Sequence, residues 1–406
     1  MRCSATLLFV WLASTPATHQ SPAVATLERA VAANPADVRG RQILADAYLG
    51  AGRSMDAVAE LRKATTLSPR VPGLWYALGQ AYNAVKQQAL ASFGDPSDAP
   101  WRQLLSADAL LANNHLTDAF AVYQGALQSL PSMISIHDSI AQIYQRTGHD
   151  AWAVRERAKG RLTSEACATR TVLCEFRAGR YRSALAAAVA GSDSESRYWR
   201  ARAANELALA AFRQLDALPD SVERRSVRAT VAQAEERYTD AIAELKAALK
   251  FVPNQPDLIY ELASAYYSAR DFDLAITTSA PLLQAHPDDA RLLALKGHSL
   301  LQLRRPDEAV PILQQVVERD PANAGARLAL GRAYLQSGNA SRAIALIEGE
   351  LARDDDGSLH VQLARAYTGL GQREKAAQLL ARSDEIQRAA RERAAVAAQR
   401  VITAPK

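Results

Sequence analysis

The sequence predicts an all-α protein, built as a right-handed α-solenoid of stacked antiparallel helix pairs. The first observation is a period, since Pro253, Pro287 and Pro321 lie 34 residues apart. The second is that small and large apolar residues recur in step with these prolines. The small residues form two series, one of Ala241, Ala275, Ala309 and Ala343 and the other of Ala263, Gly297 and Gly331. The large residues are Tyr266, Leu300 and Tyr334. The third is a composition rich in alanine and poor in aromatics, which favours closely packed helices over sheet. A unit of this length cannot bury its apolar face alone, so neighbouring units must stack.

The helix pairs follow one another along most of the chain, and we expect roughly ten of them. A half-repeat ending at Pro35 precedes the first clear copy, which covers residues 38–69. The next copy opens with Trp75, Leu78, Gly79 and Tyr82 and then continues as one long helix, over 75–93. A second long helix is expected over 198–218. The remaining copies cover 107–131, 140–153 and 179–184, then those closing at 253, 287, 321 and 355, and a last one over 363–380.

Each recurring residue type has a packing reason. Small residues let the first helix of a pair approach the second closely, and the larger ones fill the space between pairs. A proline just beyond the second helix ends it without the loss of an internal hydrogen bond. The two long helices interrupt the regular array, and we expect them to divide it. The predicted segments are an N-terminal array over 22–192, a C-terminal array over 193–383, and a capping helix with a tail over 384–406.

The first residues differ from the rest of the chain. Arg2 precedes an apolar run over residues 5–13, and Thr15, Pro16 and Ala17 follow it. A basic start, a short apolar stretch and small residues describe a secretory signal peptide, here over 1–17. The run is shorter than the about 20 apolar residues that span a bilayer. We therefore expect export to the periplasm, with a cytoplasmic protein as the alternative.

Charge gives a weak exclusion. The 48 basic and 43 acidic residues leave a formal net charge of +5 and are mixed along the chain. This pattern is unlike the basic stripe of a nucleic-acid-binding protein, so we expect no nucleic-acid partner. No segment after the first twenty residues is apolar enough to suggest a membrane span.

No catalytic motif is recognisable in the sequence. It lacks the HExxH, P-loop and GxSxG patterns, and its seven histidines do not cluster with carboxylates at ligand spacing. We therefore expect no catalytic residues, no metal and no cofactor. Paired acids such as Asp288 with Asp289 fall where repeats turn, as solvated turn residues do.

Cys167 and Cys174 leave three alternatives open: a disulfide, two packed or free thiols, and metal or redox use. On one continuous helix, seven residues would hold the two Cα atoms roughly 10 Å apart, beyond the reach of a disulfide. A bond therefore requires the helix to begin after Cys167.

The 34-residue period, with the W-x2-L-G-x2-Y start at Trp75, identifies the chain as a member of the tetratricopeptide repeat superfamily. More narrowly, it resembles exported bacterial tetratricopeptide proteins frequent in Acidobacteria. The residues that carry this resemblance are 198–203, 210–215, 219–221, 355–360 and 362–367. The resemblance implies a non-enzymatic scaffold that binds a protein or peptide partner in its concave groove. It supplies no ligand, and the Lys and Asn set of the carboxylate-clamp members is missing here.

In repeats of this type, set positions of the first helix line the groove. The residues at these positions are therefore the predicted binding residues: Tyr76, Gln80, Asn83, Tyr260, Ser264, Tyr267, His298, Gln302, Arg332, Gln336 and Arg365. His298, Arg332 and Arg365 occupy equivalent places on successive helices, so an anionic partner or a peptide carboxylate could be held there. Arginine is also an abundant surface residue in this chain, which is the simpler explanation. Two further alternatives are an accessory subunit of an envelope enzyme or export complex, and a groove for an anionic polymer.

Overall fold

In the computed structural model, residues 22–163, 167, 170–398 and 401–405 are described. These residues form twenty-one α-helices and no strand. The helices are α1 (Pro22–Ala33), α2 (Val38–Gly50), α3 (Ser54–Leu67), α4 (Pro72–Ala91), α5 (Ala99–Ala112), α6 (Leu116–Ser129), α7 (Ser135–Arg146), α8 (Asp150–Lys159), α9 (Thr171–Arg177), α10 (Tyr181–Val189), α11 (Ser194–Asp216), α12 (Val222–Ala234), α13 (Tyr238–Phe251), α14 (Pro256–Ser268), α15 (Phe272–Ala285), α16 (Ala290–Gln302), α17 (Pro306–Arg319), α18 (Ala324–Gln336), α19 (Ala340–Glu348), α20 (Ser358–Gly369) and α21 (Arg373–Ala398). The predicted all-α class of helix pairs is confirmed.

Consecutive helices pack as pairs, and we call the first helix of a pair its A helix and the second its B helix. Such pairs are α2/α3, α7/α8, α9/α10, α12/α13, α14/α15, α16/α17, α18/α19 and α20/α21. Each B helix also packs on the A helix of the following pair from α13 to α20, which is the stacking that the period predicts.

The turn between the A and B helices has a recurring backbone conformation. One residue in it has a positive φ, which closes the A helix in the left-handed conformation. These residues are Gly52, Asn114, Gly148, Gly179, Glu236, Arg270, Arg304, Gly338 and Gly371. Glycine takes this conformation freely, whereas a residue with a Cβ is strained in it. The turns at Glu236, Arg270 and Arg304 therefore hold a residue that their geometry disfavours.

Small residues permit the close approach of the A and B helices. A Cβ atom added at Gly297 would lie 2.6 Å from a Leu313 methyl carbon, and one added at Gly331 would lie 2.9 Å from Ile347. From the B helix, Ala309 and Ala343 are fully buried. Because there is no room for a larger side chain on either side, these positions fix the distance between the two helices.

The two long helices are partners of each other. Gly79 of α4 lies against Phe212 of α11, where an added Cβ would come within 2.4 Å of the ring. Further along, Lys86 Nζ donates to the side-chain carbonyl of Asn205 at 3.2 Å. Residue numbers fall on α11 as they rise on α4, so the pair is antiparallel. The sequence predicts that each long helix interrupts the array separately. In the structure α4 and α11 instead pack against each other as one pair, although they are distant in the chain.

A buried carboxylate fixes one end of this long pair. Asp98, in the turn after α4, is fully buried and accepts from Ser194 Oγ at 2.6 Å and from Arg197 Nη2 at 2.9 Å. Both partners lie in the first turn of α11. The Ser194 hydrogen bond, above all, holds the pKa of Asp98 below its usual value. The carboxylate thus ties the end of α4 to the start of α11.

The helices divide into two compact units. The first comprises the described residues up to Arg102 together with Leu162–Leu218, and the second comprises Gln103–Arg161 together with Pro219–Lys406. This grouping differs from the predicted division at residue 192, because α11 packs on α4 and so lies with the N-terminal helices. The core of the first unit accordingly combines residues of both segments, among them Leu78, Ala81, Ala204 and Leu207.

The C-terminal helix also begins earlier than expected. We expected a capping helix from residue 384, but α21 runs without a break from Arg373 and provides the B helix of the last pair. Ser383, in its middle, is buried and donates to the Gly357 carbonyl at 2.9 Å. Beyond the helix, the Thr403 carbonyl accepts from the Tyr144 hydroxyl at 2.7 Å within the second unit.

The predicted signal peptide over 1–17 lies outside the described residues. Among the helices that the structure describes, none combines the length and apolar character that crossing a membrane requires.

The strained turns lead to a first prediction. Replacing Gly338 by Ala should lower the free energy of unfolding by about 1 kcal/mol, since its φ is +80°. Replacing Arg304 by Gly should not lower the stability and should raise it by up to about 1 kcal/mol, because strain is relieved. Urea denaturation followed by circular dichroism measures both changes. Gly125→Ala is the control, because Gly125 lies in mid-helix with open space around it and its replacement should stabilise. If Gly338→Ala and Gly125→Ala lowered the stability equally, the cost at Gly338 could not be attributed to its positive φ.

The α4–α11 pair leads to a second prediction. Gly79→Val should destabilise the protein by about 1–3 kcal/mol, because the side chain would overlap the Phe212 ring. Combining it with Phe212→Leu should recover part of that loss, although Phe212→Leu alone destabilises. A double-mutant cycle in urea measures this coupling. Additive losses would show that the two positions do not meet.

Candidate functional site

The ten predicted binding residues and Ser264 fall into two groups. Tyr76, Gln80 and Asn83 lie on α4 in the first unit, and the others lie in the second unit. Gln80 is exposed, whereas Tyr76 and Asn83 are half-buried. Because α4 pairs with α11 rather than with a following B helix, these three belong to an altered repeat. The second group therefore lies on regular repeats.

In the second unit the A helices α14, α16, α18 and α20 lie side by side, each in contact with the next. We call the surface formed by these four helices the A-helix surface. It carries Tyr260, Ser264 and Tyr267 from α14, His298 and Gln302 from α16, Arg332 and Gln336 from α18, and Arg365 from α20.

Tyr267, His298 and Arg332 come together from three successive A helices. The rings of Tyr267 and His298 are 6.5 Å apart and meet edge to face. The Gln302 side chain and Arg332 both act to lower the pKa of Tyr267, and Arg332 also lowers the pKa of His298, so these groups lie close together. Burial is the main reason that the pKa of Tyr267 is raised. This end of the surface thus joins two rings to a guanidinium.

His298 is half-buried, and its pKa is lowered from the usual histidine value. The main cause is the loss of hydration around the ring, and the second is the positive charge of Arg332. Both causes disfavour the protonated imidazole. His298 is therefore neutral at pH 7, and the positive charge beside it comes from arginine.

Arg332 and Arg365 have no acidic partner within the described part of the chain. Arg332 is exposed and donates from Nε only to the Gln362 side chain, at 3.0 Å. The Arg365 side chain is exposed and makes no hydrogen bond or ion pair with the described residues. Many other arginines of the repeats are paired, as Arg225 is with Glu244 at 2.7 Å and Arg305 with Glu308 at 2.6 Å. Two neighbouring guanidiniums on the A-helix surface are thus available to an anion.

The beginning of α14 and α16 has a different character. A cavity of about 210 Å³ opens there, and its lining includes Asp257, Tyr260, Leu282, Asp289, Arg291 and Leu292. Arg291 lies over the Tyr260 ring at 5.1 Å and bonds to Asp289 at 3.2 Å. Asp289 also caps α16 by accepting from two backbone N–H groups.

Asp257, which lines this cavity, and Glu261 lie four residues apart on α14. Glu261 is half-buried, and its pKa is raised by burial and by the negative charge of Asp257. Neither carboxylate makes a hydrogen bond or a salt bridge with the residues that the structure describes. Sequence reasoning missed both, as well as Arg291 and Gln362. The 34-residue offset between Asp257 and Arg291 is the signal that could have found this pair.

The structure joins Cys167 and Cys174 in a disulfide, with Cα atoms 5.7 Å apart. The helix that holds Cys174, α9, begins at Thr171. This satisfies the requirement that the helix begin after Cys167. The bond links Cys167 to the short helix α9.

Elsewhere in the described residues, no group of three or more His, Cys, Asp or Glu side chains is placed to hold a metal ion.

Two family models match the sequence, and both describe a tetratricopeptide repeat. One matches residues 23–72 and 44–91, and the other matches residues 232–298 and 300–360. The chain contains tetratricopeptide repeats. The two ranges of the latter model begin at the end of α12 and together cover α13 to α19, so they include most of the A-helix surface. No curated protein matches the sequence.

Several solved structures are similar to part of the chain. MamA from strain MSR-1 is 22% identical, with a TM-score of 0.38 over 42% of this chain and 98% of its own. MamA from Desulfovibrio magneticus RS-1 is 22% identical, with a TM-score of 0.39 over 42% of this chain and 97% of its own. A thermophilic tetratricopeptide protein of Thermus thermophilus is 21% identical, with a TM-score of 0.34 over 44% of this chain and 98% of its own.

The environment of His298 leads to a third prediction. The pKa of His298 should lie below that of a solvated histidine, and Arg332→Gln should raise it, because the repulsion from the guanidinium is removed. Titration of the imidazole by NMR measures both values. Arg373→Gln, an exposed position at the start of α21, is the control and should leave the pKa unchanged. A His298 pKa that does not respond to Arg332→Gln would contradict the geometry.

Proposed function

We propose that the protein is a non-enzymatic scaffold that binds a peptide or protein partner on the A-helix surface of its second unit. The observation that carries this proposal is the pair of arginines, Arg332 and Arg365, that have no acidic partner among the described residues. Arg332 lies beside Tyr267 and His298, which offer aromatic and neutral polar contacts. Tetratricopeptide repeats bind protein partners in general, which supports the scaffold class.

Arginine is suited to this role because its planar guanidinium can donate two parallel hydrogen bonds to a carboxylate. In this chain an arginine near the start of an A helix can bond to a glutamate of the following B helix, as Arg225 does with Glu244. Arg332 and Arg365 lie farther along their A helices, and the described B helices place no such glutamate beside them. We therefore infer that an acidic group of the partner contacts them.

Export is a second part of the proposal. It rests on the N-terminal residues 1–17 and on the Cys167–Cys174 disulfide, since disulfides persist mainly in oxidising compartments. In an envelope setting, the scaffold could serve as an accessory subunit of an enzyme or of an export complex. An anionic polymer is the alternative ligand for the same arginines.

A peptide selection tests the proposed surface. Random peptides displayed on phage are selected on the wild-type protein, and the enriched ones are synthesised and measured by fluorescence anisotropy. Changing Arg332 and Arg365 together to Gln should weaken their binding at least about tenfold. Arg373→Gln with Arg388→Gln is the matched control, because both residues are exposed on α21 and make no ion pair with the described residues. Equal losses in the two double variants would refute the assignment of the site.

Salt dependence separates a peptide from a polymer. The affinity for a peptide held by two arginines should fall only modestly as the salt concentration rises. The affinity for a polyanion that contacts many basic side chains should fall steeply. Binding of heparin or polyphosphate that exceeds peptide binding and falls steeply with salt would favour the polymer.

A further inference from the structure

We infer that the partner segment is dipolar, with a basic side chain at the cavity beside Asp257 and Glu261 and an acidic side chain at Arg332 and Arg365. This inference rests on the proposed binding surface and adds the chemistry of its ligand. It follows from the opposite charges that the second unit places at the two ends of one continuous surface.

The acidic end has carboxylates that the described residues do not neutralise. Asp257 and Asp289 both lie close to a single guanidinium, that of Arg291, and Glu261 adds a third carboxylate beside Asp257. Arg291 is already bonded to Asp289, which also caps α16. Asp257 and Glu261 therefore have negative charge available to a partner.

The cavity suits a long basic side chain. Leu282, Leu292 and the Tyr260 ring form apolar lining, against which the methylene groups of lysine or arginine can pack. Asp257 lies in the same lining and can receive the charged head group. Arg291, which already lies over the Tyr260 ring, shows that a cationic side chain is accommodated at this place.

The basic end lies on later helices and nearer their C-terminal ends. His298 lies on α16, between α14 and α18, with Tyr267 beside it, and Arg332 and Arg365 follow on α18 and α20. Ser264 occupies the place on α14 that Arg332 occupies on α18. It lies seven residues beyond Asp257, which is about 10 Å along the helix axis. Two steps between neighbouring A helices add roughly 20 Å across the surface.

These dimensions set the spacing of charges in the ligand. Combining the two displacements gives roughly 22 Å between the acidic and basic ends. An extended peptide covers this distance with about six to eight residues. The ligand is therefore an extended segment with a Lys or Arg and a Glu or Asp about seven residues apart, and with apolar residues in between that contact the His298 ring.

Three synthetic peptides test the inference. The dipolar peptide, of about twelve residues, carries two lysines and two glutamates separated by about seven mostly apolar residues. In the acidic peptide serines replace the lysines, and in the basic peptide serines replace the glutamates. Fluorescence anisotropy with the full-length protein should show that the dipolar peptide binds about tenfold more tightly than either of the others.

Protein variants then assign the two ends. Asp257→Asn with Glu261→Gln should weaken the dipolar peptide about tenfold and leave the acidic peptide unchanged or tighter. Arg332→Gln with Arg365→Gln should weaken both the dipolar and the acidic peptides. The matched control is Asp307→Asn with Glu318→Gln on the B helix α17, where both carboxylates are exposed and make no salt bridge with the described residues. Circular dichroism verifies that each variant is folded.

The outcomes separate the two proposals. If the acidic peptide binds through the arginines as tightly as the dipolar one, the dipolar inference is overturned and the proposed surface stands. The inference is also overturned if the Asp257→Asn, Glu261→Gln variant loses equal affinity for the dipolar and the acidic peptides. If neither the three peptides nor the phage-selected ones depend on Arg332 and Arg365, the proposed function fails together with it.

Discussion

The distance between the A and B helices of each pair is the constraint on which the rest of the structure depends. It is set by residues too small to separate the two backbones, such as Gly297 against Leu313 and Gly331 against Ile347. The B-helix alanines at the same depth, such as Ala309, are fully buried. Because small residues recur at this position in successive pairs, neighbouring pairs present similar surfaces to one another, and the A helices can lie side by side. The charges of the A-helix surface are arranged on this regular scaffold.

The sequence predicted what depends on local packing and not what depends on distant partners. The period reports that a position faces a neighbouring helix, so the pairs from α12 to α21 could be placed from it. Gly79 equally indicates a close approach, but nothing in its spacing identifies the partner. The partner, Phe212, lies on a helix far along the chain, and most of α5 together with α6 to α8, which intervene, belong to the other unit. The division of the chain could not be predicted because it follows from this one pairing.

The candidate site was predicted in part for a similar reason. Repeat positions place Tyr267, His298, Arg332 and Arg365 on one surface, and the structure brings the first three together. Repeat positions do not show which charges are neutralised within the chain. Sequence alone cannot distinguish Arg225, which bonds to Glu244, from Arg332, which bonds to an uncharged glutamine. The same limit concealed the acidic end, because the negative charge there becomes apparent only when Arg291 is seen bonded to Asp289.

The two ends of the A-helix surface also differ in how their charge depends on pH. The basic end is charged through arginine, which stays protonated at any physiological pH, while the neighbouring His298 is kept neutral by burial and by Arg332. The acidic end includes Glu261, whose raised pKa means that it takes up a proton at a higher pH than an ordinary glutamate. Acidification therefore weakens the acidic end first and leaves the arginines charged. A surface that is dipolar at neutral pH becomes mainly basic as the pH falls, and its preference should move from dipolar toward purely acidic segments.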